Sequence, residues 1–152
     1  LKKLIKVNHK LRTSDISFTL GPILNSASRL GYPNLPFRFL IENKNTIINK
    51  TIKKLLMLNE KRKKIQNETF RLLNNKTEII KNEVIFKFNK NINEGLLGII
   101  AASFVELYDK PSFVLTNSNN YIKCSSRSIF GFDIGKIFHE ALNKQIILNF
   151  YT

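Results

Sequence analysis

The stretch Leu20-Gly21-Pro22-Ile23-Leu24-Asn25-Ser26-Ala27-Ser28-Arg29-Leu30-Gly31 holds one asparagine and one arginine in a frame of apolar and small residues between two glycines. Glycine tolerates backbone positions where a side chain would clash, and Pro22 is suited to the first turn of a helix. The stretch therefore predicts a short helix in which Asn25 and Arg29, four residues apart, lie on one face. An arginine on such a face is well suited to binding a phosphate.

Two later stretches complete a pattern with this one, Asn93-Glu94-Gly95-Leu96-Leu97-Gly98-Ile99-Ile100-Ala101-Ala102-Ser103 and Cys124-Ser125-Ser126-Arg127-Ser128-Ile129-Phe130-Gly131-Phe132-Asp133. In order, the three resemble Leu-Gly-Pro-Arg-Ile-Asn-Ala-Ala-Gly-Arg-Leu-Gly, His-x-Gly-Val-Ile-Gly-Ile-Val-Ala-Ser and Gly-Ser-x-Arg-Ser-x-x-Gly-Phe-Asp of the RecJ family. These are single-strand-specific 5′ exonucleases of the DHH phosphoesterase superfamily. The resemblance covers nearly the whole chain. Two positions depart from the family pattern, because Ile23 replaces its first arginine and Asn93 replaces its histidine.

The resemblance implies an α/β fold in three parts. Residues 1–45 would be the C-terminal remnant of a DHH lobe, residues 46–82 a long connecting helix, and residues 83–152 a DHH-associated domain built on a mixed sheet. The chain is accordingly expected to be a piece of a longer protein. Its DHH-associated domain is expected to be truncated at the C-terminus, where the family continues into a Gly-Gly-His stretch.

The first half of the chain carries the spacing of helices. Residues 1–31 are expected to have little core of their own, with a short helix near residues 1–7 and a polar link through Arg12 and Thr13. Asn34 is expected to cap a short helix that ends at Ile41. From residue 46 to residue 82 apolar residues recur at steps of three and four, which predicts a long amphipathic helix, either continuous or broken near Asn74-Asn75.

The pattern changes after Asn82. Short β-branched and aromatic runs predict strands over residues 84–88, 112–116 and 121–125, the last two joined as a hairpin by a polar turn. Helices fit residues 95–108 and 133–142. This order of elements is typical of a mixed sheet backed by helices.

The charge of the chain favours a polyanionic partner. Lysine and arginine number 25 against 11 aspartates and glutamates, a formal net charge of +14. Such a charge attracts nucleic acid through the release of counterions from its phosphates, and the resemblance implies single-stranded DNA. An AT-rich coding sequence would produce the same enrichment in lysine, so two explanations of the charge stay open. Likewise, the basic run over residues 60–64 is either a track for a nucleic-acid backbone or a solvated helix face.

Metal-ligating residues are scarce in this sequence. It contains two histidines, His9 and His139, and neither an Asp-x-Asp nor an Asp-His-His motif. The resemblance implies an enzyme that uses two Mn²⁺ or Mg²⁺ ions held by a preceding DHH lobe. We therefore expect no catalytic residue and no bound cofactor within this chain, the DHH lobe being supplied upstream or by a separate chain. His139 is expected to be a solvent-facing structural residue.

The stretch Ser125-Ser126-Arg127-Ser128 ends a predicted strand. Ser125 and Arg127 therefore share one face, where a hydroxyl and a guanidinium can bind phosphate oxygens together. The resemblance implies that both, with Ser128 and with Asn25 and Arg29 of the first motif, hold a terminal 5′-phosphate or an adjacent one. The competing interpretation is an ion pair between Arg127 and Asp133.

Gly95 and Gly98 open the helix predicted over residues 95–108. Backbone N–H groups at a helix start can meet a phosphate. Equally, Gly98 can simply allow a close approach of the helix to the sheet. Both interpretations stay open at this point.

The remaining features concern compartment and function. Cys124 has no internal partner for a disulfide, which suits a cytoplasmic protein. The longest apolar run, residues 96–104, is far below the ~20 residues of a membrane-spanning helix, so no membrane partner is expected.

We predict that this chain is part of a RecJ-like 5′ to 3′ exonuclease acting on single-stranded DNA in repair and recombination. The alternatives are a non-catalytic nucleic-acid-binding remnant, or a piece of a related DHH oligoribonuclease or cyclic-dinucleotide phosphodiesterase.

Overall fold

The computed structural model describes residues 1–150, which form two compact units. The first unit is Leu1–Glu68 and the second begins at Thr69. Helices combine with a three-stranded mixed sheet, which confirms the predicted α/β class. The predicted division at residues 45 and 82 stays a prediction. Among the helices of the described residues, none has the length and apolar character needed to cross a membrane.

The first unit is helical. Its elements are α1 (Lys2–Ile5), α2 (Thr13–Asp15), a π-helical turn (Ile16–Leu20), α3 (Gly21–Arg29), α4 (Asn34–Ile41) and most of α5 (Asn45–Leu73). Helix α2 replaces the polar link expected at this point, because the Asp15 carboxylate accepts the Arg12 N–H at 2.9 Å and so caps a helical turn. Helix α4 follows Pro33, so Asn34 is its first residue and not its cap.

The glycine-proline pair accounts for the π-helical turn before α3. Pro22 has no N–H to donate to a carbonyl four residues earlier, and its ring crowds that carbonyl. The backbone widens at this point, and the Gly21 N–H donates to the Ile16 carbonyl. A Cβ at residue 21 would lie 3.1 Å from that carbonyl oxygen. After the helix, Gly31 has a φ of +88°, a left-handed conformation in which glycine avoids the usual strain.

The first unit has a hydrophobic core of its own. Its buried members come from α1, the π-helical turn, α3, α4 and α5, and they are Leu4, Leu20, Ile23, Ala27, Phe39, Ile52, Leu55 and Leu58. Half of these lie within residues 1–31, so the expectation of little core there was wrong. Ile23 is 6% exposed, which means that an apolar core residue occupies the position of the family's first arginine.

The second unit carries the sheet. After the end of α5 its elements are α6 (Lys76–Lys81), β1 (Ile85–Phe88), a 3₁₀ turn (Glu94–Leu96), α7 (Leu97–Tyr108), β2 (Ser112–Ser118), β3 (Tyr121–Arg127) and α8 (Ile134–Asn143). The break between α5 and α6 falls at Asn74-Asn75, which confirms the broken form of the long helix.

The sheet has the order β1-β2-β3 and is mixed, as predicted. Strand β1 runs parallel to β2, and β2 pairs antiparallel with β3, which places Val114 opposite Ser125. Helix α7 packs on one face of the sheet through the fully buried Ile100 and Phe104. The Ser112 hydroxyl on β2 donates to the Ala101 carbonyl at 2.6 Å, and this contact fixes α7 on the sheet.

Candidate functional site

The end of strand β3 meets the first turn of helix α7. Ser125 Oγ and Arg127 Nη2 both lie 3.1 Å from the point that a Cβ of residue 98 would occupy. Gly98 therefore leaves the space in which a hydroxyl and a guanidinium come together on one face of the strand. The alternation of side chains along β3 explains why Ser125 and Arg127 share that face, while the fold supplies Gly98 opposite them.

The Arg127 guanidinium is exposed and keeps donors available. Its Nη1 donates to the neighbouring Ser126 carbonyl at 2.7 Å, which holds the planar group in place. Among the described residues no ion pair within 4.0 Å joins Arg127 to Asp133. Asp133 instead caps helix α8, where its Oδ1 accepts the Lys136 N–H at 2.9 Å. The ion-pair interpretation of Arg127 therefore has no support in the structure.

Ser128 takes part in the loop that follows β3. Its hydroxyl donates to the carbonyl of Phe132, and the carbonyl oxygen of Ile129 lies 3.2 Å from the same Oγ. The loop turns at Gly131, whose φ is +82°. These contacts show Ser128 closing the loop beside Arg127, and its predicted phosphate contact stays a prediction.

Asn93 and Gly95 form the entry to helix α7. Asn93 Oδ1 accepts the Gly95 N–H at 2.9 Å and so caps the 3₁₀ turn that precedes the helix. The Gly95 amide thus already has a protein acceptor. Asn93, which departs from the family's histidine, serves here as a capping residue. A phosphate contact by Gly95 remains a prediction.

Asn25 and Arg29 lie on α3 in the first unit, four residues apart as the sequence predicts. Asn25 is exposed and Arg29 is half-buried. Burial, followed by the nearby positive charge of Arg29, lowers the pKa of the Arg62 guanidinium on α5.

Arg62 is held by its own helix and was not singled out from the sequence. It donates from Nη2 to Asn59 Oδ1 at 2.7 Å and from Nη1 to Gln66 Oε1 at 2.9 Å. Asn59 is buried. Asn59 and Arg62 stand at positions where the periodicity of α5 predicts apolar residues. Polar side chains that are buried need hydrogen-bond partners, so these two positions were the signal in the sequence for a polar group inside this unit.

The histidines and carboxylates of the described residues lie apart from one another, except that His9 and Asp15 form a pair. Within the part of the chain that the structure describes, no three His, Cys, Asp or Glu side chains come together as a group that could hold a metal ion. His9 Nε2 lies 2.8 Å from Asp15 Oδ2, and His139 is exposed with its ring against Phe150. No hydrolytic step is assigned to these residues.

Gly98→Ala tests whether the space at residue 98 positions Arg127. Alanine favours helix more than glycine by up to about 1 kcal/mol, while its Cβ would lie 3.1 Å from both Arg127 Nη2 and Ser125 Oγ, so the gain and the crowding offset each other and we expect little change in Tm. The added methyl group displaces the guanidinium and the hydroxyl, so binding of a 5′-phosphorylated oligonucleotide should fall severalfold. In a background with both Ser125→Ala and Arg127→Ala, the glycine substitution should cause no further loss. A further loss in that background would show that Gly98 does not act through these two side chains.

The sequence resembles a curated protein over most of its length. No protein-family model matches the chain. It is 29% identical over 126 residues to the single-stranded-DNA-specific exonuclease RecJ of Haemophilus influenzae, an alignment that covers 78% of this chain. The chain spans 22% of that relative.

Solved structures share the fold. RecJ of Thermus thermophilus in complex with Mg²⁺ superposes with a TM-score of 0.78 at 20% identity, over 93% of this chain and 22% of that one. A structure of exonuclease RecJ bound to manganese gives a TM-score of 0.72, also at 20% identity, and this chain covers 36% of it. The sequence and the fold thus both match one segment of RecJ proteins.

Proposed function

We propose that this RecJ-like chain is the part of a single-stranded-DNA-specific 5′ to 3′ exonuclease that holds phosphates of the substrate. The whole enzyme would act in the cytoplasm in DNA repair and recombination. The metal centre would belong to a DHH lobe outside this chain, upstream or on a separate chain. The alignment with a curated RecJ and the shared fold support this proposal.

The observation that carries the proposal is the meeting of Ser125, Arg127 and Gly98. A planar guanidinium can donate two parallel hydrogen bonds to a phosphate, and a serine hydroxyl can donate a third. Gly98 removes the Cβ that would fill the space between them. A terminal 5′-phosphate carries more negative charge than an internal phosphodiester, so this group would favour the 5′ end.

The chain itself would contribute binding and not hydrolysis. A two-metal nuclease needs carboxylate and imidazole ligands that activate water and neutralise the leaving oxygen. In the intact enzyme the bound Mn²⁺ or Mg²⁺ ions would supply that chemistry. The residues of this chain would orient the DNA end, with Asn25 and Arg29 as further candidate contacts.

A two-part experiment on the purified 152-residue chain tests this function. We expect it to bind a 5′-phosphorylated single-stranded oligonucleotide more tightly than the same oligonucleotide with a 5′-hydroxyl. With Mn²⁺ or Mg²⁺ added, it should release no nucleotides. Equal affinity for both oligonucleotides would contradict the 5′-phosphate site. Nucleotide release that survives a control for contaminating nuclease would contradict the absence of a metal centre.

A further inference from the structure

One face of helix α5 carries a row of lysines, here called the lysine stripe. It consists of Lys50, Lys53, Lys54, Lys61 and Lys64, all exposed. At 100° per residue these positions fall within a narrow sector, and at 1.5 Å per residue the row is about 21 Å long. The opposite side of the helix is buried through Ile52, Leu55 and Leu58. The core of the first unit therefore holds the stripe toward solvent.

Lysines dominate the charge of this face, although Glu68 lies at its C-terminal end and Glu60, which pairs with Lys63, lies at its edge. Among the described residues, Lys50, Lys53 and Lys61 form no ion pair within 4.0 Å. Lys64 lies 4.0 Å from Glu68 at the end of the row. A solvated helix face usually alternates acidic and basic residues, because like charges three or four residues apart destabilise the helix. The stripe has that unfavourable spacing, which a bound polyanion would relieve.

Apolar and aromatic groups accompany the lysines. Met57 lies within the stripe and is 60% exposed, and the 45% exposed ring of Tyr32 lies beside it, with Lys54 Nζ 4.4 Å from the ring centroid. Single-stranded nucleic acid is bound by surfaces that combine a positive track for the backbone with side chains on which bases stack.

We propose that the lysine stripe of α5 binds the sugar-phosphate backbone of single-stranded nucleic acid, without sequence preference, with Tyr32 and Met57 contacting bases. The row would span several phosphates. This binding does not depend on a terminal phosphate or on the site at Ser125 and Arg127. The stripe would contact internal nucleotides, which need no free end.

A triple substitution, Lys50→Gln with Lys53→Gln and Lys61→Gln, tests the stripe. Its matched control is Lys76→Gln with Lys81→Gln and Lys90→Gln, three exposed lysines outside the stripe that remove the same charge. Each full-length variant is titrated with a 5′-hydroxyl thymidine dodecamer labelled at its 3′ end, using fluorescence anisotropy at several salt concentrations. Circular dichroism verifies the fold, and glutamine keeps a helix propensity close to that of lysine.

For the stripe variant we expect the slope of log Kd against log salt to be smaller by about 2, since each lost phosphate contact contributes ~0.7. At low salt the stripe variant should bind the oligonucleotide at least about tenfold more weakly than the unaltered chain. The control should shift Kd by less than about threefold at an unchanged slope. Equal losses in both variants would overturn the proposal in favour of net charge alone. No loss in the stripe variant, or no salt-dependent binding by the unaltered chain, would also overturn it.

Two further measurements test whether a membrane is the partner of the stripe and whether the stripe acts independently of Arg127. Binding to phosphatidylserine vesicles that the stripe variant loses, while its oligonucleotide affinity is unchanged, would assign the surface to a membrane and overturn the proposal. Arg127→Ala is measured in the same assay and should leave the stripe's effect intact. Failure of the 5′-phosphate site is therefore distinguishable from failure of the stripe.

Discussion

Arg127→Ala is expected to weaken binding of a 5′-phosphorylated single-stranded oligonucleotide by about 10- to 150-fold, because a charge-assisted hydrogen bond contributes roughly 1.5 to 3 kcal/mol. The loss should be clearly smaller for the 5′-hydroxyl oligonucleotide, which lacks the doubly charged end. Arg127→Lys should recover only part of the affinity, since an ammonium keeps the charge and loses the planar fork. Anisotropy titrations with the two oligonucleotides measure both differences.

The control for this prediction is Arg71→Ala, which removes an equal charge from another exposed arginine of the second unit. It should weaken both oligonucleotides slightly and to the same extent. If Arg127→Ala behaves like this control with an unchanged Tm, Arg127 is only a general backbone contact. If it lowers the Tm substantially, Arg127 serves the fold, which the exposed guanidinium does not lead us to expect.

Phe104→Ala is expected to have the largest effect on stability. Phe104 is 0% exposed beneath the sheet, with the Phe70 ring centroid 4.6 Å away. Removing a buried phenylalanine costs about 3 to 5 kcal/mol, a large share of the roughly 5 to 15 kcal/mol that stabilises a typical domain. The Tm of the second unit should fall by about 12 °C or more, since each kcal/mol shifts the Tm of a domain of about 60–100 residues by roughly 4 to 8 °C.

The matched control is Phe130→Ala, because Phe130 is fully exposed in the loop after β3. A surface substitution of this kind should change the free energy of unfolding by no more than about 0.5 kcal/mol. Thermal or urea unfolding followed by circular dichroism compares the two variants. A cost below about 1 kcal/mol for Phe104→Ala would contradict the packing of α7 on the sheet.

The predicted site is recoverable from the sequence only in part. The shared face of Ser125 and Arg127 follows from the two-residue period of a strand, but the sequence also offered Asp133, in the loop after the strand, as a partner for Arg127. Only the structure separates the two, because Asp133 is committed to the cap of α8 through Lys136. The sequence placed Arg62 only in the basic run over residues 60–64, and the structure alone shows it half-buried with its guanidinium bonded to Asn59 and Gln66.

Apart from α2 and the π-helical turn, the sequence by itself determined the type and order of the main elements. The periodicity of α5, its break at Asn74-Asn75, and the hairpin of β2 and β3 are set by propensities and turn residues that act within a few positions of the chain. The tertiary structure alone decided that residues 1–31 contribute to a core, that Ile23 is buried in it, and that Gly98 faces Arg127. These facts depend on which surfaces pack together, and packing joins residues that are distant in sequence, so no local pattern specifies it.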